Sequence, residues 1–209
     1  MRETLFPDAP KPQFAGQAVW RYNFERPDDV TALCAYEGPI GMGLVPLSDE
    51  LIYMYVTTPE PGNPRYPREG IAKAMREKLT SAPPRIAQLA QQITDDDGVV
   101  YKPLEWHFLD QDWYKGRVVL IGDAAHGTTP HLGQGAGMAI EDSLVLAEEL
   151  ESADSVEEAF ACFQERRFDR CKYIVESSVA ICNGQIGSGP RVDQAKATGD
   201  MFRATAAPL

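Results

Sequence analysis

The chain's 209 residues are 44% apolar and 24% charged, the balance of a soluble intracellular domain, and no apolar stretch approaches the ~20 residues of a membrane span. A net charge of −11 argues against nucleic acid or anionic membrane as a partner, because phosphate binding needs clustered cations. No signal-peptide pattern opens the sequence, and Cys34, Cys162, Cys171 and Cys182 lack C-x-x-C spacing, so free thiols in a reducing cytoplasm are expected rather than zinc or a redox pair.

Residues 1–60 read as strands. In QAVWRYNF, Ala18, Trp20, Tyr22 and Phe24 alternate with Val19, Arg21 and Asn23, the pattern of a strand with one packed and one partly polar face. LIYMYVTT, Leu51 to Thr58, is rich in β-branched and aromatic residues. GPIGMGLVPL between them predicts a third strand, which Pro46 confines to an edge or to its own end. The three imply an antiparallel sheet. Pro67 to Leu79 predict a helix with Ile71, Met75 and Leu79 on one face; Pro83 and Pro84 stop it before a second helical piece through Ile86, Leu89 and Ile93. Asp95 to Gly98 form a turn, Val99 to Trp106 return as a strand, and Asp112 and Trp113 lead into a turn at Gly116.

Residues 117–140, RVVLIGDAAHGTTPHLGQGAGMAI, carry the most chemistry. Val118 to Ile121 form a short apolar run, as in a strand buried on both faces. Gly122 ends it, and Asp123 then stands at the strand's carboxyl end, where its carboxylate can accept hydrogen bonds from vicinal hydroxyls of a sugar or ribityl chain. Pro130 fixes the turn. Gly133, Gly135 and Gly137 let backbone N–H groups approach a flat ligand closely, because no Cβ intervenes. From Met138 a helix follows, with Ile140, Leu144, Ala147 and Leu150 as an expected buried stripe, and its amino end favours an anion or a polarised carbonyl. His126 and His131 are read as shaping the turn, and with His107 as the only other histidine no metal site is assigned.

The joined string GDAAH, Pro130, GQGAG and AIED resembles the second flavin motif of the class A FAD-dependent monooxygenases, the para-hydroxybenzoate hydroxylase-like family. The resemblance implies that Gly122, Asp123 and Ala124 bind the cofactor, with Asp123 binding the ribityl hydroxyls. It places Pro130 beside the reactive edge of the isoalloxazine, and Gly133, Gln134, Gly135, Ala136 and Gly137 at its pyrimidine end. Many relatives carry asparagine where this chain has Gly137, so only backbone contacts carry over there. The resemblance further implies NAD(P)H as a transient electron donor and a cofactor that carries the redox chemistry, so no catalytic acid or base is assigned. It makes the amino-terminal sheet one wall of the substrate pocket, with Trp20, Arg21, Tyr53 and Tyr55 as candidates and Arg21, on the polar phase, suited to an anionic or enolate substrate.

The family's amino-terminal G-x-G-x-x-G turn for the FAD pyrophosphate occurs nowhere in this sequence. Met1 to Leu5 look like the residues that follow the family's central Asp-Gly motif, with Met1 where a relative often has valine. The expectation is a carboxyl-terminal portion of such a monooxygenase with an α+β fold. Residues 1–104 form a substrate-domain sheet with helices, 105–181 an incomplete flavin-binding α/β part, and 182–209 a mobile tail. Weak FAD binding follows, as does an amino-terminal FAD-domain partner or a homodimer covering an unpaired strand edge and apolar surface. Ser155 to Glu158 match a capping box opening a helix whose Phe160 and Phe163 pack. The alternative is a noncatalytic module retaining the scaffold. A hydrolase lacks support, since no G-x-S-x-G elbow is present.

Overall fold

A computed structural model describes residues 2–36 and 40–209. In chain order its elements are helix α1 (Arg2–Leu5), strands β1 (Gln13–Glu25), β2 (Cys34–Tyr36), β3 (Gly41–Pro46) and β4 (Leu51–Pro59), helices α2 (Ile71–Lys78) and α3 (Pro84–Ala90), and strands β5 (Val100–Trp106), β6 (Tyr114–Lys115) and β7 (Val118–Val119). Helices α4 (Asp123–His126), α5 (Gly135–Ser152), α6 (Val156–Ile186) and α7 (Gln194–Thr205) follow. The expected α+β class is the one observed. Two compact units are present, one of residues 16–104, the other joining residues up to 15 with 105–209. Met1, and Gly38 and Pro39 of the expected third strand, lie outside the described residues.

In the 16–104 unit a sheet of order β2-β3-β4-β1-β5 forms, antiparallel at the β2/β3, β3/β4 and β4/β1 pairs. Pro46 ends β3 opposite Ile52, so its missing N–H costs no central ladder bond. Pro103 sits on the edge strand β5. Residues directly across a ladder share a face. Trp20/Val56, Tyr22/Met54 and Phe24/Ile52 therefore point one way with Met42 and Leu44, and this face packs in a core with Ile71, Met75, Ile86 and Ile93. Arg21/Tyr55 and Asn23/Tyr53 point the other way. Gly43 lies beneath Tyr55, and a Cβ there would come 2.5 Å from the ring, so a larger residue obliges the ring to shift.

Helix α2 begins four residues later than the periodicity predicts. Gly70, at φ 81, turns the chain into it, and the Asp96 carboxylate accepts hydrogen bonds from Gly70 N–H and Ala72 N–H, each at 2.8 Å. The cap thus comes from a distant turn, beyond the reach of a local pattern. Pro84 starts α3 rather than only stopping α2, as suits proline in a first helical turn.

A buried polar cluster ties β4 to α2. Glu60 is buried and accepts from Thr58 Oγ1 at 2.6 Å, Tyr66 Oη at 2.8 Å and Lys78 Nζ at 2.8 Å, while Trp20 Nε1 donates to Thr58 Oγ1 at 2.8 Å. Burial pushes the Glu60 carboxyl up, but Lys78, Thr58 and Tyr66 outweigh it and hold the group below its ordinary 4.5. A carboxyl depressed in the folded state stabilises above its unfolded value, and that contribution fades as pH falls through the folded value. Urea unfolding should therefore show stability lost below about pH 4.5, and Glu60→Gln should flatten part of that loss. An identical pH profile in the variant would refute this.

In the other unit, the Val118 to Ile121 run departs from expectation. Only Val118 and Val119 are strand, paired antiparallel with Lys115 and Tyr114 across a turn at Gly116, φ 56. Among the described residues no parallel strand flanks it, so a run that would be central in a parallel sheet is a two-residue ribbon. Helix α5 departs as well: Ile140, Leu144 and Leu150 are 63%, 55% and 47% exposed, and Ala147 is exposed too. Its inward residues are Met138, Asp142 and Val145, against α6. Periodicity located an apolar stripe correctly but did not say what covers it. The capping box holds: Ser155 Oγ accepts from Glu158 N–H at 3.2 Å, and Phe160 and Phe163 of α6 are buried. The expected tail instead contains the end of α6 and α7, with Met201 buried against Leu132 and Ile181.

Candidate functional site

The turn that follows β7 is built on a glycine corner. Gly122 has φ 55 and ψ −139, and a Cβ there would lie 3.1 Å from the Ala139 Cβ, so a larger residue meets both backbone strain and a clash with α5. The corner starts α4 with Asp123 as its first residue, exposed at the helix's amino end. Ala125 and His126 on the other side of this single turn are buried. A carboxylate so placed is available to hydroxyl donors and sits where the helix dipole favours negative charge.

Pro130 and Gly133 bracket a 3-10 turn, Pro130–Leu132, that ends with Gly133 in the left-handed region at φ 66. Pro130, Gly133 and Ala136 are exposed, and Ala124, Gln134, Gly135 and Gly137 are half-buried. A Cβ on Gly133 would meet nothing within 4 Å, and one on Gly135 only the Thr128 methyl at 3.6 Å. No side chain caps α5, so its first-turn N–H groups keep their donor capacity. His131 is held by Thr129 Oγ1 at 3.1 Å and Gln185 Oε1 at 3.2 Å, and burial pulls its pKa down to about 4, so it is neutral and shapes the turn.

Beneath the turn lies a network that sequence reasoning did not assign. Asp142 is completely buried; its Oδ2 accepts from Gly122 N–H at 2.8 Å and meets His126 Nε2 at 2.8 Å, and its Oδ1 accepts from Arg167 Nε at 2.8 Å. Arg167, also fully buried, reaches Glu141 Oε2 at 2.7 Å. Burial raises the Asp142 carboxyl, but His126, Arg167 and the Gly122 amide prevail and hold it below its usual range. His126 Nδ1 has no hydrogen-bond partner among the described residues. A ring carrying hydrogen on Nε2 donates it to Asp142 and leaves no N–H on Nδ1 unpaired. His126, Asp142 and Cys171 place ligand atoms within 4.8 Å of one another. Arg167 fills that cluster with a permanent cation, and burial pushes the Cys171 thiol up to about 12, so the donor set suits an ion network rather than a metal. The only local signals were the Glu-Asp of AIED and the paired arginines of ERRF, neither of which specifies a partner.

Of the residues proposed for substrate, Arg21, Tyr53 and Tyr55 share one face of the sheet, with the Arg21 guanidinium 5.8 Å from the Tyr53 ring centroid. Tyr55 is half-buried, and burial first, then Tyr53, raises its phenol pKa. Trp20 is on the opposite face, completely buried in the helix-covered core, because its position has the parity of Tyr22 and Phe24.

An exposed carboxylate thus opens a one-turn helix, and a glycine-rich, uncapped helix start follows it. Comparison with known proteins gives the group its name. The FAD binding domain family model matches residues 16–176, and the chain belongs to the class A FAD-dependent monooxygenase family. It is 30% identical over 199 residues to YetM of Bacillus subtilis, covering 93% of this chain and 53% of that protein. It is also 30% identical over 190 residues to 6-hydroxynicotinate 3-monooxygenase of Pseudomonas fluorescens, covering 82% and 47%. The fold matches that of Klebsiella pneumoniae HpxO, solved with FAD and uric acid, at a TM-score of 0.81 and 21% identity, over 99% of this chain and 53% of that one. The chain therefore spans about half the length of the relatives it matches. Among the described residues no helix is long and apolar enough to cross a membrane.

Proposed function

We propose that this chain supplies the ring-end flavin site of an FAD-dependent monooxygenase that hydroxylates a small aromatic substrate with NAD(P)H and oxygen. The observation that carries the reading is the exposed Asp123 at the Gly122 corner together with the uncapped start of α5, inside a region matched by the FAD binding domain model. The residues fit the group, since Cβ positions at Gly133 and Gly135 open on space that a flat ring can approach. Asp123 would hold the ribityl hydroxyls, Gly122 and Ala124 would flank that chain, and Pro130 would border the reactive edge. Backbone amides from Gly133 through Gln134, Gly135, Ala136 and Gly137 would bind the pyrimidine carbonyls. When bound, the flavin supplies the redox and oxygen-transfer chemistry. Arg21, Tyr53 and Tyr55 are assigned to substrate, with Arg21 pairing an anionic or enolate group; an aromatic substrate is supported by the relative that acts on 6-hydroxynicotinate. Four free thiols support a cytoplasmic setting.

The reading includes a further segment or chain that completes the cofactor site, or a second copy. The exposed Ile140, Leu144 and Leu150 stripe supports it. A nanomolar cofactor corresponds to about −12 kcal/mol, and a chain that forgoes ~4 of that at the diphosphate and adenosine end binds at roughly micromolar affinity. FAD titration of this chain should give that value, and NAD(P)H oxidation should require an added amino-terminal half. A preparation that stays yellow through gel filtration would overturn the weak-binding part. The second reading is a noncatalytic module, and it gains if FAD binds but no partner restores oxidation.

A further inference from the structure

We propose that Asp142 is the positioning residue of the flavin site: one buried carboxylate oxygen holds both ends of the single helical turn that presents Asp123. The inference rests on the flavin reading for its consequence, and on geometry alone for the device. Gly122 precedes α4 and His126 closes it, and both meet the same Oδ2 at 2.8 Å. The other oxygen is engaged by Arg167 from α6, so Asp142, carried by α5, is fixed by a third element. Gly122 is buried, so its amide needs a partner within the protein, and a Cβ at the corner it makes would lie 3.1 Å from the Ala139 Cβ. Asp142 touches neither substrate nor cofactor in this scheme and acts through the position of Asp123.

Asparagine at this position keeps the shape but offers one oxygen where the network uses two. Either Gly122 N–H and the His126 ring, or the Arg167 guanidinium, would then face an NH2 group donor to donor. Asp142→Asn should weaken FAD binding by about 10-fold while Asp123 is intact, and by less than about 2-fold further when Asp123 is already alanine, because the two residues act in series. A purely structural role predicts the opposite: equal losses in both backgrounds. The Gly122 amide resonance supplies a readout independent of flavin, and Asp142→Asn should shift it and raise its hydrogen exchange.

Should Asp142→Asn fail to fold, His126→Phe removes one of the two held ends and keeps an aromatic ring 5.2 Å from Trp113. That variant should weaken FAD binding by about 3-fold, again only with Asp123 present. Unchanged FAD affinity in His126→Phe, or an unmoved Gly122 amide in a folded Asp142→Asn, would overturn the proposal. If the unmodified chain shows no FAD binding while the Gly122 amide still responds to Asp142→Asn, the flavin reading fails and the positioning device stands.

Discussion

Replacing Asp123 with alanine should weaken FAD binding by ~10–100-fold and leave the unfolding midpoint nearly where it was. The size follows from the bonds lost: a hydrogen bond to a charged group contributes about 1.5–3 kcal/mol, and each 1.4 kcal/mol is a factor of ten. The small cost in stability follows from position. Asp123 is exposed at the first residue of α4, so its removal forfeits only a favourable interaction with the helix's amino end, about 0.3–1 kcal/mol. Asp123→Asn, which keeps one acceptor, should fall between the two. Flavin fluorescence titration against the unmodified chain measures the ratio, and urea unfolding measures the cost. Equal FAD affinity in the alanine variant would remove Asp123 from the site and, with it, the basis of the proposed function.

The largest loss of stability should come from Trp113→Ala, at about 3–5 kcal/mol. Trp113 is completely buried, its Nε1 donates to Leu109 O at 3.0 Å, and its ring packs against His126, Phe108, Phe163 and Phe168. Deleting it leaves a cavity lined by rigid rings that cannot collapse together, and strands a buried carbonyl acceptor. Because the His126 ring packs against it, flavin binding should weaken along with the fold. Urea unfolding gives the measurement; a loss below about 1 kcal/mol would mean that the aromatic cluster repacks and that His126 is held by Asp142 alone.

The sequence by itself determined the elements whose causes are local. Alternation over Ala18 to Phe24 set which face of β1 is polar, Ser155 and Glu158 set the start of α6, and the Gly-Asp and glycine-rich spacing of residues 122–137 carried the resemblance to the family. Tertiary structure alone decided the rest, because each remaining feature depends on a partner far away in the chain. Asp96 caps α2 across 26 residues, and Asp142 and Arg167 meet across 25. The α5 stripe was legible as apolar, yet its exposure is a property of its surroundings. Trp20 shows the same limit, since strand parity separates it from Arg21 but only the packed helices α2 and α3 show that its face is filled rather than open to a ligand.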